Sequence, residues 1–383
     1  MDSYYSASAN KTRTFGPLQG EQSADICVVG AGFTGLSSAL HLAERGYKVI
    51  VVEAQAVGFG ASGRNGGHIG IGQRKDQYYL EDEFGHEIAT ALWEMGLEAV
   101  ETVKGLIEKH NIDCDLKQGI MHLAHRDKYA PKLEQEVEFL RNRYQFEQMD
   151  YIPRDQLSKV IGSHAYYGAQ WDKASMHFHP LNFVLGLAEA CIKAGVIIHE
   201  NSRVISYSGT PVVVKTDQGQ VTAKEMILAC NGYIDKLEPR INGYIMPINN
   251  FVLATAPLSD EQAAQILPMD TAMQDTRFVI NYWKLSGDNR LIFGGGENYR
   301  RGFPSDIKGF VRKYMLQIYP QLVDSPIDYG WGGTLAITLN RLPHFGRINN
   351  NIWHLQGYSG HGAPTATFAG KLVAEAISGK LER

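Results

Sequence analysis

The chain has 383 residues, 44% hydrophobic and 20% charged, an ordinary balance for an α/β protein with enough apolar material for two domains. Its formal net charge is -4 and no long basic run occurs, so nothing points to nucleic acid as a partner. The N-terminal MDSYYSASANKTRTFG is polar, and the apolar region Ile26 to Ala43 is broken by glycines and His41, so neither a secretory signal nor a membrane span is expected. Cys27, Cys114, Cys191 and Cys230 lack C-x-x-C or metal-ligand spacing; they read as small buried hydrophobes in a reducing, cytoplasmic compartment.

In chain order, Asp25-Ile26-Cys27-Val28-Val29 is the first predicted strand. Gly30-Ala31-Gly32-Phe33-Thr34-Gly35 matches G-x-G-x-x-G, and Leu36, Ala39, Leu40 and Ala43 recur at helical spacing up to Gly46. Lys48 to Val52 is a second strand, with Glu53 and Ala54 at its end. Strand, glycine turn, helix, strand and acid stand in the order that a dinucleotide site requires. The glycines admit pyrophosphate, the helix N-terminus faces its charge, and Glu53 takes a ribose hydroxyl and disfavours a 2′-phosphate. Seven glycines then crowd into the fifteen residues Gly58 to Gly72. Such a stretch keeps backbone close to a cofactor beyond its adenosine half, which points to FAD more than to NAD.

Residues 76–150 read as an insertion, with helical spacing in Ile88–Ile107 and Leu133–Tyr144 and a strand at Ile120–Ala124. Pro180 opens an apolar helix to Ala194. Strands follow at Val196–Glu200 and Val204–Tyr207, then a hairpin over Val212–Ala223 and a buried strand, Met226 to Gly232. Residues 241–327 form a second insertion, whose alternating segments Phe251–Thr255 and Leu291–Gly294 suggest an antiparallel sheet. Ile352–Leu355 is a strand, followed by Gly357-Tyr358-Ser359-Gly360-His361-Gly362-Ala363-Pro364 and a helix to Ile377. This second glycine turn into a helix N-terminus suits negative charge at the N1–C2=O edge of a reduced flavin. His177 and His179 lie two apart with no third ligand, so no metal is expected. The expected fold class is α/β with an α+β substrate domain: a Rossmann-type FAD-binding domain (1–75, 151–240 and 328–383) carrying an inserted antiparallel-sheet substrate domain (76–150 and 241–327).

The fingerprint, Glu53, the block Gly60-Ala61-Ser62-Gly63-Arg64-Asn65-Gly66-Gly67, the 221–232 strand and the Gly357–Gly362 turn resemble the FAD-dependent oxidoreductase family of D-amino-acid oxidases and sarcosine oxidases. The resemblance spans nearly the whole chain. It narrows to gamma-glutamylputrescine oxidases through Ser3-Tyr4-Tyr5 with Ala7–Asn10, the block Val57 to Gly67, His179-Pro180-Leu181-Asn182 and Gln356 to Gly362. It implies oxidation of a small-molecule amine by hydride-equivalent transfer to FAD, release of aldehyde and ammonia, and oxygen as acceptor. It also implies cofactor contacts at Val204 and in the turn Cys230-Asn231-Gly232. Candidate catalytic residues are His361 and His68, beside the two glycine motifs, and Tyr282 and Trp283 in the second insertion. Arg277, Arg290 and Arg300 are candidates for a substrate carboxylate. The chain departs from the family in two ways. With no cysteine after Cys230 it lacks a C-terminal cysteinyl link, so non-covalent FAD is expected, with His68 the alternative attachment. The strand Arg290–Gly294 carries no central lysine of the kind that helps sarcosine oxidases react with oxygen. Similar members often continue past the last helix, where this chain stops at Arg383. Three readings stay open on sequence: an amine oxidase, a dehydrogenase with a quinone or protein acceptor, and an FAD-binding subunit without turnover.

Overall fold

The computed structural model describes residues 3–10, 13–299 and 302–379. Two sheets organise the chain. The first has eight strands, with the parallel core Ile197–His199, Val49–Val52, Gly20–Val29, Gly219–Leu228 and Ile352–Gln356 lying side by side in that order. His344–Ile348 closes one edge antiparallel, and the hairpin Val204–Ser208/Val212–Thr216 pairs onto the start of Gly219–Leu228. Strand alternation sorts the apolar side chains. Ile26, Val28, Val49 and Val51 pack under the helices, while Cys27, Val29, Ile50 and Val52 face the opposite layer.

The helices Phe33–Ala43 and Gly362–Ile377 lie on one face of this sheet, in direct contact. Small residues bring them together. A Cβ on Gly370 would stand 2.6 Å from that of Ser37, and the Ser37 hydroxyl donates to Thr367 O at 2.6 Å. Both helices therefore begin close to the C-terminal ends of the central strands, the usual ligand crevice of a parallel sheet.

The second sheet has nine strands, in the order Ile327–Ile337, Met246–Thr255, Leu291–Asn298, Tyr282–Leu285, Ala272–Asp275, Lys117–Leu123, Gly168–His177 and His68–Ile69, with Met149–Pro153 also paired to Gly168–His177. Its pairings are antiparallel except that between Ala272–Asp275 and Lys117–Leu123. The helix Ile307–Ile318 buries Val311 and Met315 in a core shared with Phe251, Trp283 and Phe293. This sheet recruits more of the chain than the composition suggests. His68–Ile69, Gly168–His177 and Ile327–Ile337 fall within the ranges read from sequence as nucleotide-binding, yet all three pair here. The physical reason is pairing: Gly168–His177 has antiparallel partners on both sides. The insertion's long helix, Gln77–His110, is broken at Gly85, where φ is 79°. Among the described residues no helix is long and apolar enough to cross a membrane.

Candidate cofactor and substrate cleft

A cavity of about 760 Å³ runs from the glycine turn of the first sheet to the face of the second. At its nucleotide end the fingerprint is packed as close approach demands. Gly30 has φ 108°, and a Cβ on it would lie 2.8 Å from Ala229 O; a Cβ on Gly35 would lie 1.9 Å from Gly30 O. Gly30, Gly32, Phe33 and Thr34 line the cavity, whereas Gly35 serves the turn's packing behind them. Gly32 caps its helix without a side-chain bond, and Phe33 N–H donates to Ser62 Oγ at 3.0 Å. Glu53 Oε2 accepts from Ala31 N–H at 2.8 Å, and Oε1 accepts from Gln55 N–H at 2.9 Å. These bonds fix the carboxylate at the cavity wall beside Ala54. Burial raises its pKa, and the backbone donors partly offset that rise. Val204, Cys230 and Asn231 complete this end, while Gly232 stands against the Leu335 backbone outside the lining. Burial pushes the Cys230 thiol up to about 12.

Further along, Gly60, Ala61, Ser62, Arg64, Asn65 and Gly66 form the wall. Asn65 ties the loop into one shape. Its Nδ2 donates to Ala61 O and Ser62 O at 3.0 and 2.9 Å, and its Oδ1 accepts from Gly67 N–H at 2.8 Å. Gly67 itself, at φ 76°, turns against Phe178 O, where a Cβ would come within 2.2 Å. Arg64 donates to Phe59 O at 2.6 Å and Gly332 O at 3.2 Å, so it also anchors the loop to the second sheet. From the other side come Gly360, Gly362 and Ala363, at the side-chain-uncapped start of the Gly362–Ile377 helix. Gly357 lies behind them, its N–H donating to Asn231 Oδ1 at 3.0 Å, and Pro364 is buried in the helix's first turn. His361 does not line the cavity. Its ring packs on Gly70, with Cε1 3.1 Å from where a Cβ would stand, and its buried Nε2 has no hydrogen-bond partner.

The second sheet supplies the far end. His68 Nε2 lies 2.9 Å from Met273 O and Nδ1 lies 3.2 Å from Gly66 O. Burial pushes this imidazole down to about 4, so it is neutral at neutral pH. The Tyr282 hydroxyl donates to Asn250 Oδ1 at 2.5 Å, and its ring stands edge-on to His68 at 5.8 Å. Trp283, the next residue of the same strand, points into the core. Its Nε1 donates to the Tyr319 hydroxyl at 2.9 Å, and its ring stacks on Phe293. Arg74, Gln274, Glu297 and Arg341 also line this end and carry no motif in the sequence. Of the proposed carboxylate-binding arginines, neither Arg277 nor Arg290 lines it. Arg277 is paired with the buried Asp275, Arg290 is held by Asp288 and Asp328, and Arg300 lies outside the described residues. A buried lysine does occur, one strand over from Arg290–Gly294: Lys284, opposite Ile292 in register and pushed down to about 8 by burial.

Three of the four segments that carry the narrower resemblance, Ser3 to Asn10, Val57 to Gly67 and His179 to Asn182, meet at the start of the Pro180–Lys193 helix. Tyr5 stacks edge-on against His179 at 4.8 Å and against Trp331 at 5.2 Å. His179 Nδ1 caps the Pro180–Lys193 helix by accepting from Asn182 N–H at 3.1 Å, and Asn182 Oδ1 in turn accepts from Asn10 N–H at 2.9 Å. His177 Nε2 lies 3.1 Å from Asp270 O. Among the described residues no group of three His, Cys, Asp or Glu side chains is placed to hold a metal ion.

Glycines that tolerate no Cβ, two helix starts without side-chain caps and a fixed carboxylate suit FAD. Comparison with known proteins agrees, since the family described as FAD dependent oxidoreductase matches residues 25–376. The chain belongs to this family. It is 41% identical over 383 residues to the gamma-glutamylputrescine oxidoreductase of Escherichia coli K12, covering 100% of this chain and 90% of that protein. It is 42% identical to the probable oxidoreductase OrdL of Haemophilus influenzae, over 100% of this chain and 89% of that one. In fold it is similar to the glycine oxidase of Geobacillus kaustophilus, with a TM-score of 0.79 at 20% identity over 94% of this chain and 95% of the other. The L-proline dehydrogenase of P. horikoshii gives 0.75 at 22% identity, over 95% and 96%. This chain is therefore an FAD-dependent oxidoreductase with the fold of the glycine oxidase-like flavoenzymes.

Proposed function

We propose that the enzyme oxidises a primary amine at the end of an aliphatic chain, of the gamma-glutamylputrescine type, to an imine that water hydrolyses to aldehyde and ammonia, with oxygen taking the electrons. The observation that carries this reading is a single cleft joining the dinucleotide fingerprint to His68 and Tyr282. It lies in a chain 41% identical, over its full length, to a gamma-glutamylputrescine oxidoreductase. Bound FAD would supply the two-electron chemistry by accepting a hydride equivalent from the carbon that bears the amine. The chain's own residues position, desolvate and set charge. The fingerprint and Glu53 would hold the adenosine half, and the Gly60–Gly66 loop and the Gly362–Ile377 helix start would hold the other. That helix start favours negative charge at its end of the cofactor. An amine must be unprotonated to be oxidised. His68 is neutral and Tyr282 offers a hydroxyl, so neither of these two groups holds the reacting amine as an ammonium.

We read the FAD as non-covalent. Both His68 nitrogens face backbone carbonyls, and Cys230 lies at the adenosine end near Glu53. Acid precipitation is expected to leave the yellow cofactor in the supernatant; flavin in the pellet overturns this part. Four free thiols suit the cytoplasm, our proposed compartment. The decisive assay offers the holoenzyme gamma-glutamylputrescine, putrescine, sarcosine and D-alanine, following flavin bleaching and peroxide together. Bleaching with peroxide, highest kcat/KM for gamma-glutamylputrescine, is the expected result. Bleaching without peroxide replaces oxygen by another acceptor, and preference for sarcosine or D-alanine removes the substrate class.

A further inference from the structure

We infer that the outer end of the cleft is a receptor for an α-amino-acid headgroup, in which Arg74 and Arg341 take the carboxylate and Glu297 takes the ammonium. This deepens the proposed amine oxidation and rests on it. Both arginines line the cleft but come from distant loops, one just after the second glycine stretch and one between the strands Ile327–Ile337 and His344–Ile348. Neither has an ion-pair partner among the described residues. Arg74 donates from Nε to Ser359 O at 3.2 Å, which leaves its terminal nitrogens free to bind. Arg341 lies with its guanidinium carbon 6.0 Å from the centroid of the exposed Phe278 ring.

The two cations feel each other. Burial lowers the Arg74 pKa first, and the charge of Arg341 lowers it further. Holding like charges together in a partly desolvated cleft is costly unless an anion joins them. A carboxylate matches the planar fork of a guanidinium and accepts two parallel hydrogen bonds from it.

The same lining carries the complementary charge. Glu297 lines the cleft near the end of the strand Leu291–Asn298, opposite Asn250 in register, and has no ion pair among the described residues. The Tyr299 hydroxyl donates to its Oε1 and fixes the carboxylate's rotamer. Arg341 acts electrostatically on Tyr299, so it lies within Coulomb range of the Tyr299–Glu297 pair. The same lining includes the apolar Ile248, Val279, Ile280 and Leu335, suited to an aliphatic stem. The substrate class that satisfies all three parts is a primary amine tethered through an aliphatic chain to a zwitterionic headgroup.

Three amines of graded headgroup test this on the holoenzyme: gamma-glutamylputrescine, N-glutarylputrescine, which lacks the α-ammonium, and N-butanoylputrescine, which lacks both charges. Loss of the carboxylate is expected to lower kcat/KM roughly tenfold to a hundredfold, and loss of the ammonium several-fold, mainly through KM. In Arg341→Gln and Arg74→Gln the ratio of kcat/KM between N-glutarylputrescine and N-butanoylputrescine is expected to fall toward one. In Glu297→Gln the ratio between gamma-glutamylputrescine and N-glutarylputrescine is expected to do so. Equal turnover of all three amines by the parent overturns the receptor and leaves amine oxidation standing, even if a variant fails to fold. Variants that keep the parent's ratios overturn it as well. Failure of every amine to bleach the flavin overturns both readings.

Discussion

The two ends of the cleft are built from different materials. The nucleotide end is mostly backbone: glycines at close approach, two helix starts, and one carboxylate fixed by backbone N–H groups. The substrate end is mostly side chains, carried on strands and loops far apart in the chain. Backbone binds what all members of a family share, since it varies little with sequence. Side chains on paired strands can be exchanged singly without disturbing the ladder, so substrate choice can change there while the cofactor stays.

If that contrast holds, substitutions at the nucleotide end should remove cofactor, and those at the other end should alter turnover. The largest effect is expected from Gly35→Val. Its Cβ would meet Gly30 O at 1.9 Å, so the turn must open. Protein purified without flavin and destabilised by roughly 3 kcal/mol or more is the expected outcome, read from the absorbance ratio and a urea melt. A fully flavinylated variant would show that the turn is not the seat. Glu53→Ala comes next. Loss of charge-assisted bonds worth roughly 1.5–3 kcal/mol each should weaken FAD binding at least tenfold, with kcat at saturating FAD near that of the parent. Unchanged FAD affinity would take Glu53 out of the site.

A smaller effect is expected with pH at the junction of the two ends. His68 and His361 titrate near 4 in the folded chain, against about 6.5 when unfolded. Between those values the unfolded chain binds more protons, so their contribution is full above pH 6.5 and is lost as pH falls toward 4. Tm should drop by several degrees over that window, and less steeply in His68→Asn; a Tm flat from pH 7 to 5 contradicts it. The smallest effect is expected from Tyr282→Phe. Flavin content should be retained while kcat/KM falls roughly 3- to 10-fold, the worth of one neutral hydrogen bond. Loss of flavin there would blur the division between the two ends.

The same contrast explains what could be read from residues alone. The fingerprint, Glu53 and the Gly58–Gly72 stretch are each contiguous, and contiguous turns announce their geometry. Arg74, Asn250, Gln274, Glu297 and Arg341 belong to five separate segments that meet only in the folded chain, strand pairing bringing Asn250 to Glu297 and Gln274 to Tyr282. No local pattern marks such a meeting. Tyr282 and Trp283 show a simpler limit. Neighbours on a strand face opposite ways, so one points to the cleft and the other into the core. His361 turns on backbone conformation: Ser359 at φ 53° and Gly360 at φ 88° swing its ring onto Gly70. The strand Gly168–His177 lies in the second sheet through its antiparallel pairing with Lys117–Leu123 and Met149–Pro153, which composition could not reveal.

The short helix Tyr4–Ala7 has a consequence for how the molecule is made. Tyr4 donates to Asp288, 284 residues away, and Tyr5 stacks on His179 and Trp331. These residues leave the ribosome well before Asp288 and Trp331, so their resting place does not exist until those later segments have been synthesised. Closing so long a loop is entropically slow. Tyr4 and Tyr5 must therefore wait, aromatic side chains exposed, and then dock late in folding.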